Sequence, residues 1–192
     1  MSLAALLNEQ PGQKVSHELG FKTHSTERIL PWVPDWKRWQ AMMAWLSKKR
    51  ATGDVSHFWL SYLPKMLATI PHLRVICLER EAEETVRSLV ESSGSKNQYS
   101  EELAPGEFRT KRAECFPKYR LPKVDAVRAY WTEYYERAAE LERRHPLRFC
   151  VMPTAALNTK AGQAAILDFV GIETHVYRVG LRLNATPKEI AA

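Results

Sequence analysis

Residues 74–91 read RVICLEREAEETVRSLVE, and the fold turns on how they are divided. Val75 to Leu78 are continuously apolar, the pattern of a strand covered on both faces of a parallel sheet. Glu81, Glu83 and Glu84 follow at once, and negative charge in a first turn complements the helix dipole, so a helix is predicted over about 81–92. Strand into helix is half of a β-α-β unit. Arg80 stands between them, at the carboxyl end of the strand, and Ser88 lies eight residues further on. Ligands of open α/β folds bind at that end of the strands.

Outward from this core the chain continues in the same manner. Upstream, SLAALLNEQPG reads as a short helix with Leu3, Leu6 and Leu7 on one side, stopped by Pro11 and Gly12. QKVSHE reads as a short strand. Trp39, Met42, Met43 and Leu46 fall at helical spacing. A further helix is predicted over HFWLSYLPKMLAT, with Ser56 as its cap and Pro64 as a kink or break. Downstream, VDAVRAYWTEYYERAAELERRH is the clearest helix, LRFCVM a second buried strand, and GQAAILDFVG a helix ended by Gly171. The segment between, residues 92–123, is polar, basic and punctuated by Gly and Pro, so it is assigned as a long loop and a candidate lid. The expected architecture is a single domain over 1–192, α/β, three-layered, with a mainly parallel sheet flanked by helices.

The chain has 192 residues, 45% of them hydrophobic and 26% charged, enough to bury one substantial core. Its formal charge of +6 suits a ligand or partner bearing phosphate or sulfate. No run approaches the roughly 20 apolar residues of a membrane span, and no export signal is visible. Cys77, Cys115 and Cys150 form no Cys-x-x-Cys pair and read as reduced, structural thiols in a cytoplasmic setting. His17, His24 and His57 have no ligand spacing, so no metal is expected. No nucleic-acid motif is present.

Two positions stand out for chemistry. An arginine at a strand end offers a fork of donors matched to phosphate, and a serine on the next helix adds another bond. Eight helical residues span ~12 Å, so Arg80 and Ser88 converge only if Arg80 stays outside the helix and folds back over its first turns. On spacing alone, pairing of Arg80 with Glu83 or Glu84 competes with this reading. The second position is VSHE, which ends a predicted strand with Glu18 beside His17; either can serve as a base, or Glu18 is a surface carboxylate. In the basic loop, Arg109, Lys111, Arg112, Lys118, Arg120 and Lys123 either face solvent or meet an anionic ligand. Phe116 and Tyr119 either stack on a ligand ring or pin the loop to the core. Trp32, Trp36 and Trp39 are packing residues or walls of an acceptor pocket.

LER followed by EAEETVRS resembles the 3′-phosphate-binding element of the sulfotransferases that use 3′-phosphoadenosine 5′-phosphosulfate (PAPS), in which a strand ends in arginine and a serine follows eight positions on. The likeness extends through GDVSHFWLSYLPKMLATIPHLRVICLER, the YWTEYYERAAEL helix and RFCVMPTAALNTKAGQAAILDFVGI. It implies a fold related to P-loop nucleoside kinases and sulfuryl transfer from PAPS to a hydroxyl or amine of a small molecule, carbohydrate or protein. It also implies Arg80 and Ser88 as 3′-phosphate ligands and Glu18 as general base, with His17 the competitor. Tyr119 is a candidate for the adenine. Arg178 or Arg182 is a candidate substitute for the family's later Arg-Lys-Gly motif, which is not visible here. The family's loop for the 5′-phosphosulfate, with its Lys or Arg, Ser, Gly, Thr pattern, is also not visible, and MSLAALLNEQPG resembles the helix just after it. The chain as given is therefore expected to bind PAPS weakly and to transfer slowly. An exposed sheet edge would favour self-association into a homo-oligomer. The alternative is a non-catalytic, anion-binding remnant of the same fold.

Overall fold

The computed structural model describes residues 2–18, 29–173 and 175–178. In chain order the elements are α1 (Leu3–Asn8), β1 (Val15–His17), α2 (Trp36–Lys48), β2 (Gly53–Val55), α3 (Leu63–Thr69), β3 (Val75–Glu79), α4 (Ala82–Ser93), α5 (Lys123–Arg144), β4 (Phe149–Pro153) and α6 (Lys160–Val170). Single 3-10 turns occupy His57–Trp59, Lys111–Cys115 and Thr154–Asn158.

Local chemistry sets the boundaries. Asp35 caps α2 by accepting from the backbone N–H groups of Lys37 and Arg38, and Glu81 caps α4 by accepting from those of Glu83 and Glu84. Pro64 breaks the predicted 57–69 helix: its ring is tolerated only in a first turn, so α3 begins around it and the residues before it form a 3-10 turn. Ser56 precedes that turn without a side-chain capping bond. Gly171 closes α6 in the left-handed conformation at φ 80°.

All described strand pairing is parallel, in two separate two-stranded sheets rather than one continuous sheet. β1 pairs with β2 in the register Val15↔Gly53, and β3 with β4 in the register Val75↔Phe149. The two β-α-β crossovers run through α2 in the first pair and through α4 and α5 in the second. Alternate residues then separate two apolar clusters. Val75, Cys77, Phe149 and Val151 join the larger one, with side chains of α2, α3, α4 and α5. Ile76, Leu78 and Met152 join the smaller, with Leu3 and Leu6 of α1 and Ile166 and Leu167 of α6. Helices thus cover both faces of the β3–β4 pair. The cover is less complete than the apolar run promises: Cys77 is buried, whereas Val75, Ile76 and Leu78 are half-buried.

The long segment after α4 is irregular but tightly bonded. Asn97, 1% exposed, accepts from the N–H groups of Tyr99 and Ser100 and donates to Ser100 Oγ and Glu107. Backbone bonds link Tyr99 and Glu101 with Tyr119, and Tyr99, Cys115 and Phe116 enter the larger core cluster.

Buried side-chain amides also secure the far end of the chain. Gln163 Nε2 donates to Leu157 O at 2.8 Å and Arg178 O at 2.7 Å, and its Oε1 accepts from the Arg178 N–H at 3.0 Å. Gln10 grips the Val176 N–H and C=O in the same way, both at 2.9 Å. Replacing Gln163 with Leu keeps the volume and strands three backbone groups, so Gln163→Leu is expected to lower unfolding free energy by about 2–4 kcal/mol. Urea denaturation measures it; an unchanged midpoint contradicts this assignment.

Candidate functional site

Three residues each follow a strand at its carboxyl end: Glu18 after β1, His57 after β2 and Arg80 after β3. The Glu18 N–H donates to Val55 O at 2.9 Å, so the β1–β2 ladder reaches the residue that carries the carboxylate. There the backbone turns away with a left-handed φ of 47°, a costly geometry for a residue with a Cβ. Asp54 ties the same strand ends together, accepting from Ser16 Oγ at 2.6 Å and from Trp59 Nε1 at 2.9 Å.

Glu18 Oε1 accepts from Arg112 at 2.8 Å and lies 3.6 Å from His57 Nδ1, an electrostatic contact longer than a hydrogen bond. Arg112 comes from the 3-10 turn at Lys111–Cys115, so the long loop delivers the counter-charge across the chain. The next residue but three, Phe116, stacks face to face on His57 with ring centroids 4.9 Å apart and planes 3° apart. The loop is therefore closed over the ends of β1 and β2.

This environment fixes the charges. His57, with Arg112 and His17 adding, holds the Glu18 carboxyl down at about 2, against the partial burial that opposes it. Burial in turn lowers the His57 pKa, with Arg112 assisting and Glu18 opposing. Near neutrality the pair is an ionised carboxylate beside a neutral imidazole. A carboxylate so acidic is a weak proton acceptor, and a neutral imidazole is a better one.

Arg80 is held differently. Its N–H donates to Tyr135 Oη at 3.4 Å, and its C=O accepts from Trp131 Nε1 at 3.1 Å, both from α5. Tyr135 also donates to Leu78 O at 3.0 Å. The backbone is pinned at the strand end while the guanidinium, about half exposed, folds over the first turn of α4 to Glu84 at 3.0 Å. That is the pairing expected to compete with a ligand; Ser88, one turn beyond Glu84 on the same helix, is exposed. The start of α4 is acidic and self-capped by Glu81, and Arg128 of α5 neutralises Glu83 through two bonds of 3.0 and 3.1 Å.

The remaining predicted residues are scattered. His17 is exposed beside Glu18. Phe116 is buried and serves to pin the loop. Tyr119 is half-buried in the same loop with its hydroxyl bonded to Glu133, and burial, with that bond adding, raises its pKa. Arg178 pairs with Glu9, the residue that ends α1, at 3.1 Å. His24 and Arg182 lie outside the described residues. Trp36 and Trp39 pack against the core. Burial pushes the thiols of Cys77, Cys115 and Cys150 up to about 12, as suits inert structural cysteines. Among the described residues there is no group of three or more His, Cys, Asp or Glu side chains able to hold a metal, and no helix long and apolar enough to cross a membrane.

The structure thus brings Glu18 together with His57 and Arg112, two residues to which sequence reading gave no role beside it. Their separations of 39 and 94 positions leave no local pattern to read. Comparison with family models, curated proteins and solved structures found no match.

The pairing has a pH signature. The folded pKa of Glu18 is below its ordinary 4.5, so the stabilisation is fully present above that value and is lost as pH falls towards 2. Wild type is expected to exceed Glu18→Gln in unfolding free energy by up to about 3 kcal/mol at pH 6, with the gap closing between pH 5 and 2. Denaturation at a series of pH values tests this; a pH-independent gap contradicts it.

Proposed function

We propose that this protein is a PAPS-dependent sulfotransferase in which Arg80, aided by Ser88, takes the 3′-phosphate. The observation that carries the reading is the posture of Arg80: outside the helix, backbone anchored by Trp131 and Tyr135, guanidinium folded back over α4. This is the arrangement that convergence of Arg80 and Ser88 requires. An exposed ion pair is worth little, so a phosphate displaces Glu84 at small cost.

In the transfer, the acceptor oxygen or nitrogen attacks sulfur in line. The bond from sulfur to the bridging phosphate oxygen breaks, its electrons stay on adenosine 3′,5′-bisphosphate, and the acceptor proton leaves to a base. In this reading the Glu18 and His57 pair takes that last task. Neutral His57 accepts the proton, and the adjacent carboxylate stabilises the imidazolium that forms. His17 is the exposed alternative. One observation favours the rival reading of an anion-binding protein without transfer activity: Glu18 is already committed to Arg112.

Calorimetry with adenosine 3′,5′-bisphosphate separates these from an unrelated function. Arg80→Ala is expected to weaken binding about 10- to 100-fold, since charge-assisted bonds contribute ~1.5 to 3 kcal/mol each, and Ser88→Ala less. Equal affinity of wild type and Arg80→Ala would refute the assignment. Binding without PAPS-dependent transfer to any hydroxyl or amine acceptor would favour the rival.

A further inference from the structure

On the outer side of the closed loop lies an open cleft of about 580 Å³. Its apolar walls come from Pro31 and Trp32 before α2 and from Phe116 and Pro117 of the loop. Three cations line it, Arg109, Lys111 and Lys118, against one carboxylate, Glu114. Phe116 is shared: it borders this cleft and stacks on His57. Arg112, the partner of Glu18, belongs to the same 3-10 turn as Lys111 and Glu114.

We propose that this cleft binds a small aromatic anion, its ring against Trp32 and Pro117 and its carboxylate, sulfate or phosphate facing Lys118 and Lys111. That this ligand is the sulfuryl acceptor rests on the transferase reading above; the binding site does not. Charge complementarity identifies the occupant, because the cleft presents two more positive than negative side chains around a mainly apolar floor. Glu114 is already spent on Lys111 at 2.7 Å and Arg38 at 2.7 Å. Lys118 is the informative group. Its Nζ donates to Ala113 O at 2.6 Å and Phe116 O at 2.8 Å, which leaves one ammonium proton for a ligand. Burial and the neighbouring Arg109 lower its pKa to about 8, while Cys115 opposes weakly. Lys111 and Glu114 are the other charges lining the cleft, and they face each other. An anion placed there favours the protonated amine, so binding takes up protons near pH 8 and weakens as pH rises through that value.

The test uses 4-hydroxybenzoate as probe and 4-hydroxybenzyl alcohol as its neutral counterpart, with the full chain and no PAPS. Calorimetry in buffers of different ionisation enthalpy reads affinity and proton uptake together. The anion is expected to bind at least tenfold more tightly than the alcohol, with proton uptake near pH 8 that disappears in Lys118→Met. Because Lys118 also supports two backbone carbonyls, two exposed variants guard against misfolding. Val33→Glu, at a rim position 75% exposed, and Lys111→Met should each weaken the anion about three- to tenfold and leave the alcohol unchanged. Equal affinity for the two probes, indifference to both rim variants, or no binding at millimolar concentration would each overturn the proposal. Retained binding of adenosine bisphosphate in that event would show that only the cleft was misassigned.

Discussion

Every buried peptide group needs a hydrogen-bond partner, and the described residues include few strand positions with which to supply them. Its described strands are three or five residues long and pair only two by two. Side-chain amides meet the deficit. Asn8 grips both backbone groups of Val15 at 2.6 and 2.7 Å and so holds the start of β1. Gln10 and Gln163 do the same for Val176 and Arg178, which allows residues 175–178 to lie against α1 and α6 without being a strand. Asn97 organises the turn from which the long loop departs. Arg109 continues that work by donating to the carbonyls of Ser100 and Glu101. Only a loop so bonded can hold Arg112 and Phe116 against β1 and β2, and the electrostatics of Glu18 and His57 follow from that placement.

Much of this architecture is legible in the sequence because it rests on local periodicity. The β3 to α4 passage, the long α5, β4 and the Gly171 stop of α6 all fall where apolar spacing and cap residues place them. β2 is invisible for the opposite reason: Gly53, Asp54 and Val55 have neither length nor alternation, and only parallel pairing with β1 makes them a strand. The composition of residues 92–123 signals solvent, and what corrects it is long-range packing of Tyr99, Cys115 and Phe116 against α5. Buried, hydrogen-bonded Asn97 and Gln98 look in sequence like any surface amide.

The candidate site divides in the same way. The positions of Arg80 at a strand end and of Ser88 on the next helix were legible because one strand-to-helix junction fixes them. Glu18 was legible as a strand-end carboxylate, but its protonation behaviour was not. That depends on a histidine from another strand end and an arginine from a distant loop, and together they turn an ordinary carboxyl into a very acidic one.

These two clusters differ in how readily they release their partners. Arg80 and Glu84 are both about half exposed, so their attraction is screened and the pair separates at small cost. Glu18 is 25% exposed and held by both His57 and Arg112, so freeing it costs far more. A ligand that is to use this carboxylate has to displace the Arg112 guanidinium, which projects from an anchored segment. Its 3-10 turn carries Glu114, which binds Arg38 and, through its carbonyl, the Trp32 N–H at 2.6 Å. The same turn leads directly into Phe116, which covers His57. Arg112, the ring that covers His57 and one wall of the adjoining cleft therefore belong to one short, anchored segment. The state of the Glu18 and His57 pair is governed from the loop side.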